Sequence, residues 1–440
     1  MHILSSSATT TFNKSSIMAP ALVPFLIIFL NFPVIISTYH TPHLCTDENS
    51  LLLIQFRQSF KFNKGASYMC KELDKPSYPK TKSWNRSTDC CMWDGVTCDE
   101  VSGEIIGLDL SCSQLQGSIN SNSTIFHLSH LQSLDLAHND FMSSPVHSNF
   151  AGFRRLAHLN LSDSVFSGSA PLELSYMLNL VTLDLSLNEN ITVEPQVFEL
   201  LLQNLTHLRE LSLEACGVNS KLPRNLSASV EILNLASNGL FGDFPGEIFQ
   251  LPKLQVISLS ANRLSGRLLK VNQNISSALH ILDLSYNNFS GGELHESVGN
   301  LKSFNFLVLK DCNFSGPIPE SFGNLTELEG MYLSGNSFTG HLPPSIGNLE
   351  QLAVLLLYYN RLEGQLPDSL SNLKSLTNLD IRSNLFNGYF PSTIFNLTKL
   401  EHLDFSDNSL KGPLPPNITG LPNLSYLDLS YNSINGTIPS

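Results

Sequence analysis

A unit of about two dozen residues recurs along most of this chain, and that periodicity constrains the fold more than any single motif. The unit is LxxLxxLxLSxNxFSGxIPxxIGN, clearest in LTELEGMYLSGNSFTGHLPPSIGN at residues 325–348. Its first Asn slot falls at positions 113, 139, 164, 188, 216, 238, 262, 287, 312, 336, 360, 384, 408 and 432. From position 312 onward every interval is 24 residues, whereas earlier intervals drift between 22 and 28. The longest interval contains EPQVFELLLQNLTHL (194–208), and such drift belongs in segments on an outer face. One copy buries too little apolar surface to stand alone. Fourteen in phase must therefore stack into a solenoid with a shared core.

The residues of the unit explain its shape. In LxLxxN the leucines alternate, so they point inward from a short strand while their neighbours face solvent. The marker Asn turns its amide into the bend, where it can bond backbone groups of its own and adjacent coils. Asn139, Asn188, Asn238, Asn262 and Asn287 belong to this ladder. The following Gly allows a turn that a Cβ would hinder, and Pro fixes φ as the chain passes to the convex side. Cys216, Cys312, Ser113 and Ser164 stand at ladder positions. The two cysteines sit four repeats apart on a stiff stack, so they are read as buried ladder substitutes and not as a pair. The expected class is an α/β repeat solenoid with a parallel concave β-sheet.

On that concave sheet, Asp109, Asp135, Asp184, Asp283, Asp380, Asp404 and Asp428 share one site between the two core residues. Three neighbouring repeats depart together, placing Val308, Tyr332 and Leu356 there. Phe306, Lys310, Asp311, Tyr358 and Tyr359 flank them, with Asn378 and Arg382 at the border. Tyrosine joins a rigid apolar face to a hydrogen-bonding tip, a favoured composition for binding hot spots. The expected ligand-binding set is therefore Phe306, Val308, Lys310, Asp311, Tyr332, Leu356, Tyr358, Tyr359 and Arg382.

Charge and cysteine usage bound the setting. Lys+Arg number 25 against Asp+Glu 38, a net charge of −13, so no basic face exists to neutralise nucleic-acid phosphates. ALVPFLIIFLNFPVIIS (21–37) follows a polar leader and ends at small residues, the pattern of a secretory signal over residues 1–38. Five of the eight cysteines fall between Cys45 and Cys98, as expected for an oxidising compartment. Glycosylation acceptors N-x-[ST] occur at Asn85, Asn122, Asn160, Asn190, Asn204, Asn225, Asn274, Asn288, Asn313, Asn324, Asn396, Asn417, Asn423 and Asn435. Asn160 lies in a strand window, so a sugar there would block part of the concave face.

Residues 39–103 read as a cap over the first coil, and 104–440 as about fourteen repeats with an incomplete last copy. CTDENSLLLIQF (45–56) offers Thr46 as N-cap, Asp47 and Glu48 in a first helical turn, then an apolar face. GVTCD and EIIGLDL around EVSG read as a hairpin. We pair Cys45 with Cys90 and Cys91 with Cys98. Other connectivities remain open, and Cys70 and Cys112 are unassigned.

WNRSTDCCMWDGVTCDE followed by LDLSCSQLQGSI resembles the N-terminal cap and first repeat of plant leucine-rich-repeat receptor-like proteins. YPKTKSWNRSTDCC narrows the resemblance to the group of the Cf-type resistance receptors of tomato, and SGPIPESFGNL (315–325) resembles the plant form of the repeat. The resemblance covers residues 45–440. It implies a right-handed leucine-rich-repeat superhelix and a cell-surface receptor with one membrane span and a short tail without a kinase. It also implies signalling through partner receptor kinases, usually in defence and sometimes in development. The chain departs from the family pattern at its end, stopping at Ser440 partway round a coil, without a terminal cap, an island or a span. It reads as a truncated ectodomain, and as a secreted product should Ser440 be its natural end.

No Walker, zincin, kinase or nucleophile-elbow motif is present, so neither catalysis nor a cofactor or metal is expected. The expected partners are an extracellular peptide, protein or wall-derived ligand. Alternatives are a secreted inhibitor similar to polygalacturonase-inhibiting proteins, the ectodomain of a leucine-rich-repeat receptor kinase, and an adhesion module of the wall.

Overall fold

The computed structural model describes residues 45–266, 277–415 and 420–436. The leader, Asn274 and Asn417 lie outside these residues. The hairpin of Val96–Cys98 and Ile105–Asp109 opens a 15-stranded sheet, and every later strand adds in parallel and in sequence order. The strands pair residue for residue, so the site of Asp109, Asp135 and Asp184 runs as one column through Val308, Tyr332 and Leu356 to Asp428. Inside, the central leucines of these strands are fully covered, for example Leu159, Leu233, Leu307, Leu355 and Leu403 at 0% exposure. Stacking, not any one coil, makes the core.

The marker Asn forms the ladder. Asn139 Nδ2 donates to the carbonyls of Leu110, Leu136 and Ala137, while its Oδ1 accepts from Leu115 N at 2.9 Å. One side chain thus satisfies backbone groups of two coils. Immediately before the marker the chain adopts a left-handed conformation, with φ of 55° at Tyr286, 54° at Tyr359 and 55° at Tyr431.

Past the ladder a second, six-stranded parallel sheet forms on the flank, from Ser315–Gly316 to Ser433–Asn435. The residue after each flank glycine lies across the glycine of the next coil: His341 over Gly364, Gln365 over Gly388 and Tyr389 over Gly412. A Cβ at Gly388, already at φ 85°, would come within 2.7 Å of Gln365. On the convex side short 3₁₀ turns follow Pro319, Pro343, Pro367 and Pro391. The longest interval is filled by an α-helix, Pro195–Asn204.

The cap helix Asp47–Gln58 starts at Thr46, whose Oγ1 accepts from Asn49 N at 3.1 Å. Cys45 is bonded to Cys90, Cys91 to Cys98, and Cys70 to Cys112. The third bond crosses the boundary drawn at residue 103. Ser67 Oγ crosses it too, donating to His138 O at 2.7 Å, and Lys61–Phe62 pairs with Leu115–Gln116. The cap is thereby clamped to the first two ladder positions.

Candidate binding surface on the concave sheet

In five coils the column Asp accepts from the Ser two residues on. Asp283 Oδ1 takes Ser285 N and Oγ at 2.9 and 2.6 Å, and Asp404 does the same with Ser406. This local bond closes each of those coils with a small polar unit. Three successive coils lack it, because the strands Phe306–Val308, Gly330–Tyr332 and Val354–Leu356 carry Val308, Tyr332 and Leu356 in the column. Ser334 records the loss, since its buried Oγ has no hydrogen-bond partner once Tyr332 stands where its acceptor would be.

Tyr332 is not presented to solvent as the alternation predicts. It is only 7% exposed, and its ring lies with that of Phe306 over Gly330, where a Cβ would come within 2.7 Å of both. The missing side chain at Gly330 opens a hollow, and two aromatic rings fill it. Burial raises the Tyr332 phenol pKa above its usual value. Tyr332 is therefore a floor for the surface and not a contact tip. Asp380 and Asp404 are likewise buried, against the expectation that the whole column faces solvent.

The remaining residues divide into two groups. Tyr358 and Tyr359 meet edge to face at 5.5 Å, and the Arg382 guanidinium lies 4.5 Å from the Tyr358 ring. Arg382 Nη1 also reaches Asp380 Oδ2 and Asp404 Oδ2, both at 3.2 Å. The guanidinium is a hinge pin between a tyrosine pair above and two buried carboxylates below. Lys310 turns the other way, over the ring of Tyr286 at 5.1 Å and toward Asp311 at 3.8 Å. Its pKa is raised, chiefly by the hydrogen bond to Tyr286. Val308 and Leu356 are half-buried beside Tyr332, and Phe306 is half-buried over Gly330. Tyr286, Gly330 and Asp404 lie among these residues although the expected binding set omits them. The position before each marker Asn, which holds both Tyr286 and Tyr359, would have pointed to the first.

Asp380, His402 and Asp404 bring ligand atoms within 4.8 Å of one another. Arg382 already occupies the cation's place between the two carboxylates, so the cluster does not fit a metal. Cys45, Asp89 and Cys90 also converge, but their thiols are spent in a disulfide. Cys216 and Cys312 are free and buried, with thiol pKa pushed up by burial, to about 12 for Cys312. That is the behaviour of inert ladder substitutes.

Burial pushes the Asp380 carboxyl up to about 6. A raised acid pKa favours the protonated form in the folded chain, so this group lowers stability as pH rises from the unfolded value toward 6. The full effect above that window is about 3 kcal/mol. Asp380→Asn should therefore gain on the parent chain as pH rises from 4 to 7. Urea midpoints measured across that range check it, and parallel curves would contradict it.

Family profiles match the chain along most of its described length. They are a leucine-rich repeat region at 255–387, a leucine-rich repeat at 374–434, a leucine-rich repeat N-terminal domain at 69–99 and a further repeat at 127–144. Receptor-like protein 9DC1 of Solanum pimpinellifolium is 39% identical over 297 residues, covering 67% of this chain and 34% of the relative. Receptor-like protein 6 of Arabidopsis thaliana is 40% identical over 283 residues, covering 61% and 28%. Among solved structures, the crystal structure of PEPR1-AtPEP1 superposes with a TM-score of 0.70 at 27% identity, covering 90% of this chain and 56% of that one. The chain belongs to the plant leucine-rich-repeat receptor-like proteins. It spans about a third of the length of the curated relatives it matches. Among the described residues no helix is long and apolar enough to cross a membrane.

Proposed function

We propose that this chain is the extracellular ligand-recognition region of a plant cell-surface receptor-like protein, acting in defence signalling through partner receptor kinases. One observation carries the reading. Val308, Tyr332 and Leu356 stand in register on adjacent strands, where five other coils keep a polar closure, beside Tyr358, Tyr359 and Arg382. Substitution of a local hydrogen bond by apolar and aromatic side chains leaves Ser334 unsatisfied, while Tyr332 packs with Phe306 over Gly330. At the surface, an apolar and aromatic stretch with one pinned guanidinium suits a peptide or protein loop.

The resemblance to receptor-like protein Cf-9, 40% identical over 246 residues, supports the defence assignment. The structural likeness to PEPR1, whose crystal structure is of PEPR1-AtPEP1, supports ligand recognition in general. Tyr358→Ala with Tyr359→Ala should lower affinity at least about tenfold, since each ring is worth more than 1 kcal/mol in a hot spot. Surface plasmon resonance against extracellular wash fluid of challenged leaves reads this, with secretion and far-UV circular dichroism as folding controls. Undiminished binding by a folded double variant would remove the concave surface from consideration.

A further inference from the structure

We infer that the chain carries a sugar seat on its flank, an open cleft that holds the first residues of an N-linked glycan on Asn190. The inference stands apart from the concave surface and does not depend on its ligand. It starts from a break in the flank. Ahead of the six-stranded flank sheet, the same edge bears two short parallel pairs, Ser167–Ser169 with Asn190–Thr192 and Phe241–Asp243 with Arg263–Ser265. Among the described residues no ladder or bridge joins Asn190–Thr192 to the following coil. Pairing resumes only where Lys221 meets Phe241.

The break coincides with two missing side chains. The position after the marker holds Asp140, Val165 and Glu189, then Gly217 and Gly239, then Arg263 and Asn288. The two successive glycines leave a cleft of about 540 Å³, with Glu189 at one end and Arg263 at the other. That volume lies within the ~300–1,000 Å³ typical of small-ligand sites. Asn219 and Ser237 complete its polar rim. All four rim residues are exposed, and among the described residues none of their side chains makes a hydrogen bond or ion pair. Flat glycine backbone beneath and unpaired polar groups around suit a pyranose ring, which has an apolar face and an edge of hydroxyls.

The occupant comes from the chain itself. Asn190-Ile191-Thr192 is an acceptor for N-linked sugar, with Asn190 and Thr192 exposed on either side of buried Ile191. This triplet borders the cleft. Glu189 immediately precedes it, and a Cβ at Gly217 would lie 2.9 Å from the Ile191 carbonyl oxygen and 3.6 Å from Thr192 Cγ2. From the coil of Asn190 to that of Arg263 is three strand spacings, about 14 Å, a length that the first sugars of a glycan cover. An acetamido sugar in the cleft can accept from Arg263 through its carbonyl and donate to Glu189 through its N–H or hydroxyls.

The test uses the secreted chain made with high-mannose glycans and digested in the folded state by endoglycosidase H, which cuts between the first two sugars. Mass spectrometry follows release at each acceptor. Asn190 is expected to be modified, and to be cut about tenfold more slowly than modified acceptors elsewhere on the flank, because a seated stem is withheld from the enzyme. Gly239→Gln fills the cleft from its floor, and Ser237→Arg fills it from its rim. Ser237 is exposed and already bears a side chain at φ 56°, so its substitution keeps the test open should the glycine variant not be secreted. Each variant is expected to raise the rate at Asn190 to that of the other acceptors and to leave theirs unchanged. An unmodified Asn190, release as fast as elsewhere in the parent chain, or a slow rate that neither variant raises overturns the seat.

Discussion

Arg382→Ala is expected to destabilise the chain by about 4 kcal/mol, because it leaves two buried carboxylates without their counter-charge. Asp380 and Asp404 each face Arg382 Nη1 at 3.2 Å, and their side chains are 5% and 2% exposed. Removing the guanidinium forces them either to ionise unpaired in a poorly solvated strip or to take up protons. The deficit should therefore shrink in acid, where Asp380 protonates. Asp380→Asn with Asp404→Asn in the Arg382→Ala background should restore most of the loss. Chemical denaturation of the three variants at acid and neutral pH reads the difference. A deficit independent of pH, or no rescue, would mean that Arg382 acts through packing on Tyr358 and not through charge.

Asn139→Ala should cost a similar amount, about 4 kcal/mol, as several buried backbone groups lose their partner at once. The side chain is 1% exposed and serves three carbonyls and one amide, so water cannot replace it. Cys312→Ala makes the contrast, with an expected cost of about 1 kcal/mol. In that coil the Cys312 carbonyl itself accepts from Phe289 N at 2.8 Å, and the Ser164 carbonyl serves Phe141 N at 2.9 Å in the same way. Where the ladder side chain is short, the backbone has moved in to do part of its task. Thermal melts of the two variants side by side decide it, and equal losses would refute this division of labour.

The strand column, the ladder and the cap helix were legible in the sequence because each depends on residues a fixed few positions apart. Leu–x–Leu alternation and the marker Asn set them locally, whatever the neighbouring coil holds. The burial of Tyr332 was not legible in that way. It depends on Gly330 two residues earlier and on Phe306 a coil away, and alternation alone assigns the ring to solvent. Arg382 is similar: its partners Asp380, Asp404 and Tyr358 come from three coils, so its role follows only from the stack. The flank sheet escaped notice because its strands are short and its outward residues are bedded on glycines of the next coil. Cys70–Cys112 was open because one partner lies in the cap and the other in the first repeat. What sequence reading missed lies between coils, and what it caught lies within them.

The left-handed residue before each marker has one further effect. An ordinary side chain there costs about 1–2 kcal/mol relative to glycine, yet coils eight, eleven and fourteen hold Tyr286, Tyr359 and Tyr431 at that point. Counted along the sheet, the rings recur every third coil, about 14 Å apart. Because the backbone at these points has little freedom to rotate, the spacing between rings is set by the stack and not by side-chain search. The rim behaves as a ruler with aromatic graduations, and a partner engaging two of them would be selected by length as much as by chemistry.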